Sequence, residues 1–311
     1  MPCVAVTLSV LLAEQMAQRK PIYLHMKVHC YHMALCAAAT TTNKTRASHC
    51  VLHAVWSGCC TQQVHLAMDN TGTEIFGVAS DQNSAVFMGT TLDRSTWTWS
   101  DISGGSIPAA NTWSSIAANG DGTKLLACKS GSGAGLFVGT FSGSSWSWAT
   151  ASITGNFQSV AVNDAGDRMF AAALGSAVQV SLNSGVSWAS SGSSADYQSI
   201  ATDGAGSQLI AVRTQLLNLG QGNLWKGTFS GGSYSWSQIT TGGLSLLGNF
   251  RSVASSRDGN TLVAAKATIP VLLIAGDVRV STDAGANWSV ADTSALLGLL
   301  QGDWTDVAIA G

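Results

Sequence analysis

The sequence is short of charge, proline and glutamate. Only 10% of its 311 residues are charged, proline occurs 4 times, and the only glutamates are Glu14 and Glu74. With 15 basic against 17 acidic residues and a net charge of −2, the chain is neither a basic nucleic-acid binder nor a highly charged disordered segment. Long apolar runs are missing too. Val4–Leu12 is far shorter than the ~20 residues needed to span a bilayer, and no later run reaches that length without turn residues, so no membrane span is expected. What is abundant is apolar and turn-forming: 46% hydrophobic residues, 34 Gly and 11 Trp. A large core can be buried, and Ser, Thr, Gly and Asn must supply most of the polar surface.

The composition breaks near residue 62. Residues 1–62 hold six of the seven cysteines and five of the six histidines, and their five basic residues outweigh Glu14 to give +4. Residues 63–311 hold ten of the eleven tryptophans and carry −6. The first stretch is read as a leader or poorly structured segment with the composition of a targeting peptide, which favours a secreted or organellar protein. Its His25, His29, Cys30, His32, Cys36, His49, Cys50, His53, Cys59 and Cys60 have the composition of metal ligands but lack the paired Cys-x2-Cys spacing of a zinc site. No metal site and no cofactor are expected.

Residues 63–311 are a repeat array. Five stretches share one pattern: Val64 to Gly72, Trp113 to Gly122, Phe157 to Gly166, Tyr197 to Gly206 and Phe250 to Gly259, with the glycines 50, 44, 40 and 53 residues apart. Each reads as an alternating strand, an Asp/Asn/Gly turn and a second apolar strand, followed by another hairpin that ends on Trp. Glycine suits the turn because a tight hairpin needs a residue that tolerates positive φ. A 40 to 50 residue period of four short strands is that of a propeller blade. The expected fold is an all-β propeller of five full blades plus a partial sixth. The orphan strand from Trp304 would join His49–Trp56 there; the alternatives are an open or incomplete ring, or a ring of five with that strand as an extra edge.

Ser281-Thr-Asp283-Ala-Gly285-Ala-Asn-Trp288 matches the Asp-box (BNR) repeat Ser-x-Asp-x-Gly-x-x-Trp, and Ser181, Asn183, Gly185 and Trp188 match it with Asn for Asp. Residues 63–311 thus resemble the propellers grouped with sialidases, xyloglucanases and the photosystem II assembly factor family. The resemblance implies that the box is a structural turn on the outer hairpin, away from the central cavity.

Glycoside hydrolysis needs two carboxylates across a cleft, and sialidases add an arginine cluster with a Tyr/Glu pair. The sialidase set is not recognisable. A pair of repeat Asp residues would serve an inverting hydrolase, as the resemblance to xyloglucanases implies, but these Asp mostly fall in turns where Asp is favoured for local bonding, so no catalytic residue is assigned. The candidate binding residues are the aromatics that open the first strands, Trp113, Tyr197 and Trp304 among them, as stacking platforms or as blade packing. The second candidate is His65 with Asp306, which occupy the position where other repeats carry Ser115, Ser159, Ser199 and Ser252. The reading favours a non-catalytic platform for a protein partner, with an extracellular carbohydrate-binding or glycosidase-like propeller as the alternative. The loops 215–223 and 267–276 are the expected contact regions.

Overall fold

In a computed structural model, the described residues are 33–40, 49–56, 64–79, 85–93, 96–104, 107, 113–131, 133–214, 224–240, 249–267, 276–291, 307 and 309. Every regular element among them is a β-strand. None of the described residues form a helix long and apolar enough to cross a membrane.

Two strands, β1 (Met33–Thr40) and β2 (His49–Trp56), pair with each other antiparallel. The sequence reading assigned β2 to the C-terminal orphan strand and left β1 unmarked. That orphan strand lies outside the described residues except for Val307 and Ile309.

The remaining strands form five antiparallel units. Blade 1 contains β3 (Val64–Met68), β4 (Glu74–Ala79), β5 (Val86–Thr90) and β6 (Thr98–Asp101). Blade 2 contains β7 (Trp113–Ala118), β8 (Lys124–Lys129), β9 (Gly135–Phe141) and β10 (Trp146–Thr154). Blade 3 takes β11 (Asn156–Val162), β12 (Met169–Leu174), β13 (Ser176–Ser181) and the first part of β14 (Ala189–Thr202). Blade 4 takes the rest of β14 with β15 (Gln208–Thr214), β16 (Leu224–Ser230) and β17 (Ser233–Gln238). Blade 5 is β18 (Asn249–Ser255), β19 (Leu262–Ala267), β20 (Val278–Ser281) and β21 (Ser289–Val290).

The 14-residue β14 is continuous because it pairs Ser176 with Ala195 in one blade and Asp196 with Thr214 in the next. Blades 3 and 4 therefore share one seven-stranded sheet.

Burial follows position in the blade. Second strands are covered by neighbours on both faces, so they are nearly continuous apolar runs such as Met169-Phe-Ala-Ala-Ala, all buried. Their alanines leave room for neighbouring blades to approach. Outer strands face solvent and alternate, as β10 does. The core consists of slabs between blades: Trp113, Leu125 and Phe137 with Phe76 and Val86, for example, and Phe250, Val253 and Leu262 with Ile210 and Val212.

The outer hairpins come in two forms. Blades 3 and 5 carry the box. In blade 5 the Ser281 hydroxyl donates to Asp283 Oδ1 at 2.8 Å and accepts the Gly285 N–H at 2.9 Å. Asp283 Oδ1 accepts the Asn287 N–H at 2.8 Å, and the Trp288 indole donates to Gly285 O at 3.1 Å. Blade 3 repeats these bonds with Ser181, Asn183, Gly185, Ser187 and Trp188. Ala284 and Ser184 take φ of 55° and 56° to let the loop close.

Blades 1, 2 and 4 instead lay a tryptophan over a cross-strand glycine: Trp99 on Gly89, Trp148 on Gly139 and Trp236 on Gly227. A Cβ on Gly139 would sit 2.9 Å from the Trp148 ring. The indoles of Trp148 and Trp236 bond the preceding blade, at Ile102 O and Ser191 Oγ.

Candidate functional site

The first strands of successive blades lie side by side, so they surround the axis. Their start and finish define the two ends of the channel, and the two ends are built differently.

At the finish, each first strand enters a turn held by one Asx or Ser side chain. Asp69 Oδ1 accepts the Glu74 N–H at 2.9 Å, and Asn119, Asn163, Asp203 and Ser256 accept the N–H of Lys124, Arg168, Gln208 and Thr261. Gly72, Gly122, Gly166, Gly206 and Gly259 follow with φ between 67° and 72°, as the repeat pattern requires. The turns also bond one another. Asn70 N donates to Gly120 O, Gly120 N to Asp164 O, Asp164 N to Gly204 O and Gly204 N to Arg257 O, at 2.8 to 3.0 Å.

The five residues in this chain alternate in size. Asn70 of blade 1 reaches past Gly120 to give Asp164 Oδ1 a 3.1 Å bond, and Arg257 of blade 5 reaches past Gly204 to ion-pair with Asp164 Oδ2. A Cβ on Gly120 would lie 2.5 Å from Asn70 Nδ2, and one on Gly204 would lie 2.6 Å from Arg257 Cγ. Three side chains from alternate blades converge here, and the blades between them must be glycine.

At the start, the first strands of blades 2 to 5 each carry a β-bulge between the opening aromatic and the serine. The extra residues are Ser114, Gln158, Gln198 and Arg251. A bulge re-aims the side chain it inserts. Here the inserted groups engage neighbouring first strands: Ser114 Oγ donates to Phe157 O at 2.8 Å, and Arg251 Nη1 to Gln198 Oε1 at 3.4 Å. The serine that follows accepts the backbone N–H of the next blade: Val160 on Ser115, Ile200 on Ser159, Val253 on Ser199 and Val307 on Ser252, at 3.1 to 3.3 Å. Val307 therefore occupies the place of a first-strand residue beyond blade 5.

Cations gather at this same end. Lys129 pairs in register with Trp113, Arg213 with Tyr197 and Lys266 with Phe250. The Lys129 ammonium lies 4.5 Å from the Trp113 ring centre and 5.0 Å from that of Phe137, and burial pushes its pKa down. The Arg213 guanidinium lies 4.6 Å from the Trp225 ring centre and 5.6 Å from that of Tyr197. Lys266 and Arg279 share the Asp277 carboxylate, at 3.2 and 2.8 Å.

The opening aromatics are core residues. Trp113 and Tyr197 are each 1% exposed, so their faces serve blade packing rather than an open platform. Trp304 lies outside the described residues. His65 sits half-buried on β3 at the serine position. Asp306 is outside the described residues, so its pairing with His65 is too, as are loop residues 215–223 and 268–275.

Among the described residues no group of His, Cys, Asp or Glu is arranged to hold a metal. Hydrogen bonds from Asn287 and Ser281 pull the Asp283 pKa down to about 2. Burial, with Asp69 and Asp121 nearby, pushes Glu74 above the ordinary carboxylate range. Sequence reasoning missed the bulges and the cations. Its one usable signal was the polar residue lodged between aromatic and serine in four repeats.

No family model and no curated protein matches the chain. Solved structures do. A GH74 xyloglucanase from Xanthomonas campestris aligns at TM-score 0.52 and 16% identity over 74% of this chain, which spans 38% of the enzyme's length. The Cps50 (Swd1) beta-propeller domain from Myceliophteria thermophila aligns at 0.51 and 8% identity, covering 74% of this chain and 72% of that one. A chain of the nidogen/laminin complex aligns at 0.54 and 11% identity, covering 90% and 97%. These likenesses establish a β-propeller.

Proposed function

We propose that residues 63–311 form a non-catalytic β-propeller of the Asp-box type that serves as a platform for a protein partner, with residues 1–62 a separate leader. The observation that carries this reading is how the carboxylates are used. At the bulged end, Asp196 accepts the Gly175 N–H at 2.8 Å, Asp101 accepts the Ser103 N–H at 2.8 Å, and Asp277 holds Lys266 and Arg279. At the other end Asp69 and Asp203 hold turns, and Asp164 is clasped by Asn70 and Arg257. Each of these groups maintains the scaffold, whereas a hydrolase needs a carboxyl pair facing a cleft. The paired box turns at Ser181–Trp188 and Ser281–Trp288 support the family reading.

The test joins a photo-crosslinker at Gln158 to a glycan array. The expected result is a protein adduct and no glycan binding; binding of glycans without a protein adduct overturns the platform reading. A second reading, a glycosidase-like propeller, rests on the raised pKa of Glu74. It requires that Glu74→Gln abolish release of reducing sugar from a xyloglucan, and the platform reading requires that the native chain release none.

A further inference from the structure

We infer that the bulged end of the channel docks an acidic, extended segment of a partner protein, with Arg251 reading a carboxylate and Gln198 a backbone or side-chain carbonyl. This rests on the platform reading and narrows it to one face and one partner chemistry.

Three observations converge. First, charge is segregated along the axis. The turn end and its adjoining hairpins hold most of the described carboxylates, among them Asp69, Asp121, Asp164, Asp203, Asp258 and Asp283, against the cations Lys124, Arg168, Lys226 and Arg257. The bulged end holds Lys129, Arg213, Arg251, Lys266 and Arg279 against Asp101, Asp196 and Asp277. Five cations against three carboxylates leave this opening with an excess of positive charge, which attracts an acidic segment.

Second, these cations are held in place. Aromatic faces seat Lys129 and Arg213, and Asp277 seats Lys266 and Arg279; Lys129 and Lys266 are each 4% exposed, so they act on an arriving anion through the field and leave direct contact to the exposed side chains. Arg251 is the exposed one. Its single bond among the described residues is the long one to Gln198 Oε1, which leaves Nε and Nη2 of Arg251 and Nε2 of Gln198 as donors.

Third, the bulges recur in four successive blades and place a hydroxyl, two amides and a guanidinium in a row around one mouth. Such a row suits an extended chain, in which carbonyls and side chains recur at short intervals. The opposite mouth is occupied by Asn70, Asp164 and Arg257.

The probe is a fluorescein-labelled deca-glutamate peptide, followed by anisotropy with the full-length chain at about 0.15 M salt, where exposed charges more than ~8 Å apart are screened. Wild type should bind, and Arg251→Gln should weaken binding by about fivefold or more, as loss of a charged contact does. Lys124→Gln removes the same charge from the turn end and should leave affinity within about twofold, because that site lies beyond a screening length. Thermal melts of both variants confirm that they fold. No binding by wild type, equal loss in both variants, or oligouridylate binding as tightly as the peptide overturns the inference. If the deca-glutamate fails while the crosslinker at Gln158 still captures a protein, the acidic-partner inference falls and the platform reading stands. If both fail, both fall.

Discussion

Asp283 and Asn183 do the same work in two copies of one turn, and only one of them can titrate. The folded pKa of Asp283 is lowered, so its contribution is complete above the ordinary carboxylate range and is lost as pH falls towards about 2. Asp283→Asn should leave the melting temperature at pH 7 nearly unchanged, with the Asn287 amide turned over to present its oxygen. The variant should also lack the part of the acid-induced loss between pH 4 and pH 2 that Asp283 causes. Melting curves across that range decide it. Cys128 makes the opposite kind of prediction. It is fully buried, and desolvation pushes its pKa up to about 12, so the native thiol should resist maleimide. Peptide mapping should show it modified only after denaturant is added. At this scale the sequence was legible, because the box and the turn glycines are local patterns whose bonds close within four or five residues. The candidate platforms were not, because the pattern that marks Trp113 and Tyr197 is silent on which face another blade covers.

At the scale of elements, one side-chain position joins each blade to the next. Ser199 is 8% exposed and accepts the Val253 N–H at 3.1 Å. Ser199→Ala leaves that buried donor without its acceptor and should cost about 1–3 kcal/mol in chemical denaturation. The glycines under the outer tryptophans predict a similar loss from the opposite cause. Gly139→Ala pushes a methyl into the Trp148 ring, and overpacking of this kind costs about 1–3 kcal/mol. The repeated serine was readable as a close-packing position, and its bonds now account for it. The continuity of β14 was not readable. Gly192, with φ of 80°, resembles a break in the sequence yet lies within the strand, where the Trp236 ring covers it from the next blade.

For the whole molecule, the turn end binds non-neighbouring blades to each other. Gly204→Val would force Asp164 and Arg257 apart and should cost about 1–3 kcal/mol. Adding Asp164→Gly should recover part of that loss, a coupling that a double-mutant cycle in urea measures directly. Neither this convergence nor the gathering of Lys129, Arg213 and Lys266 could be read from one repeat at a time. Both arise only when strand ends from separate repeats meet around an axis.

The alternation of Asn70, Gly120, Asp164, Gly204 and Arg257 also bears on parity. A circle of alternating filled and vacant positions closes without conflict only when the number of positions is even. Five would place Arg257 beside Asn70, two filled positions in succession.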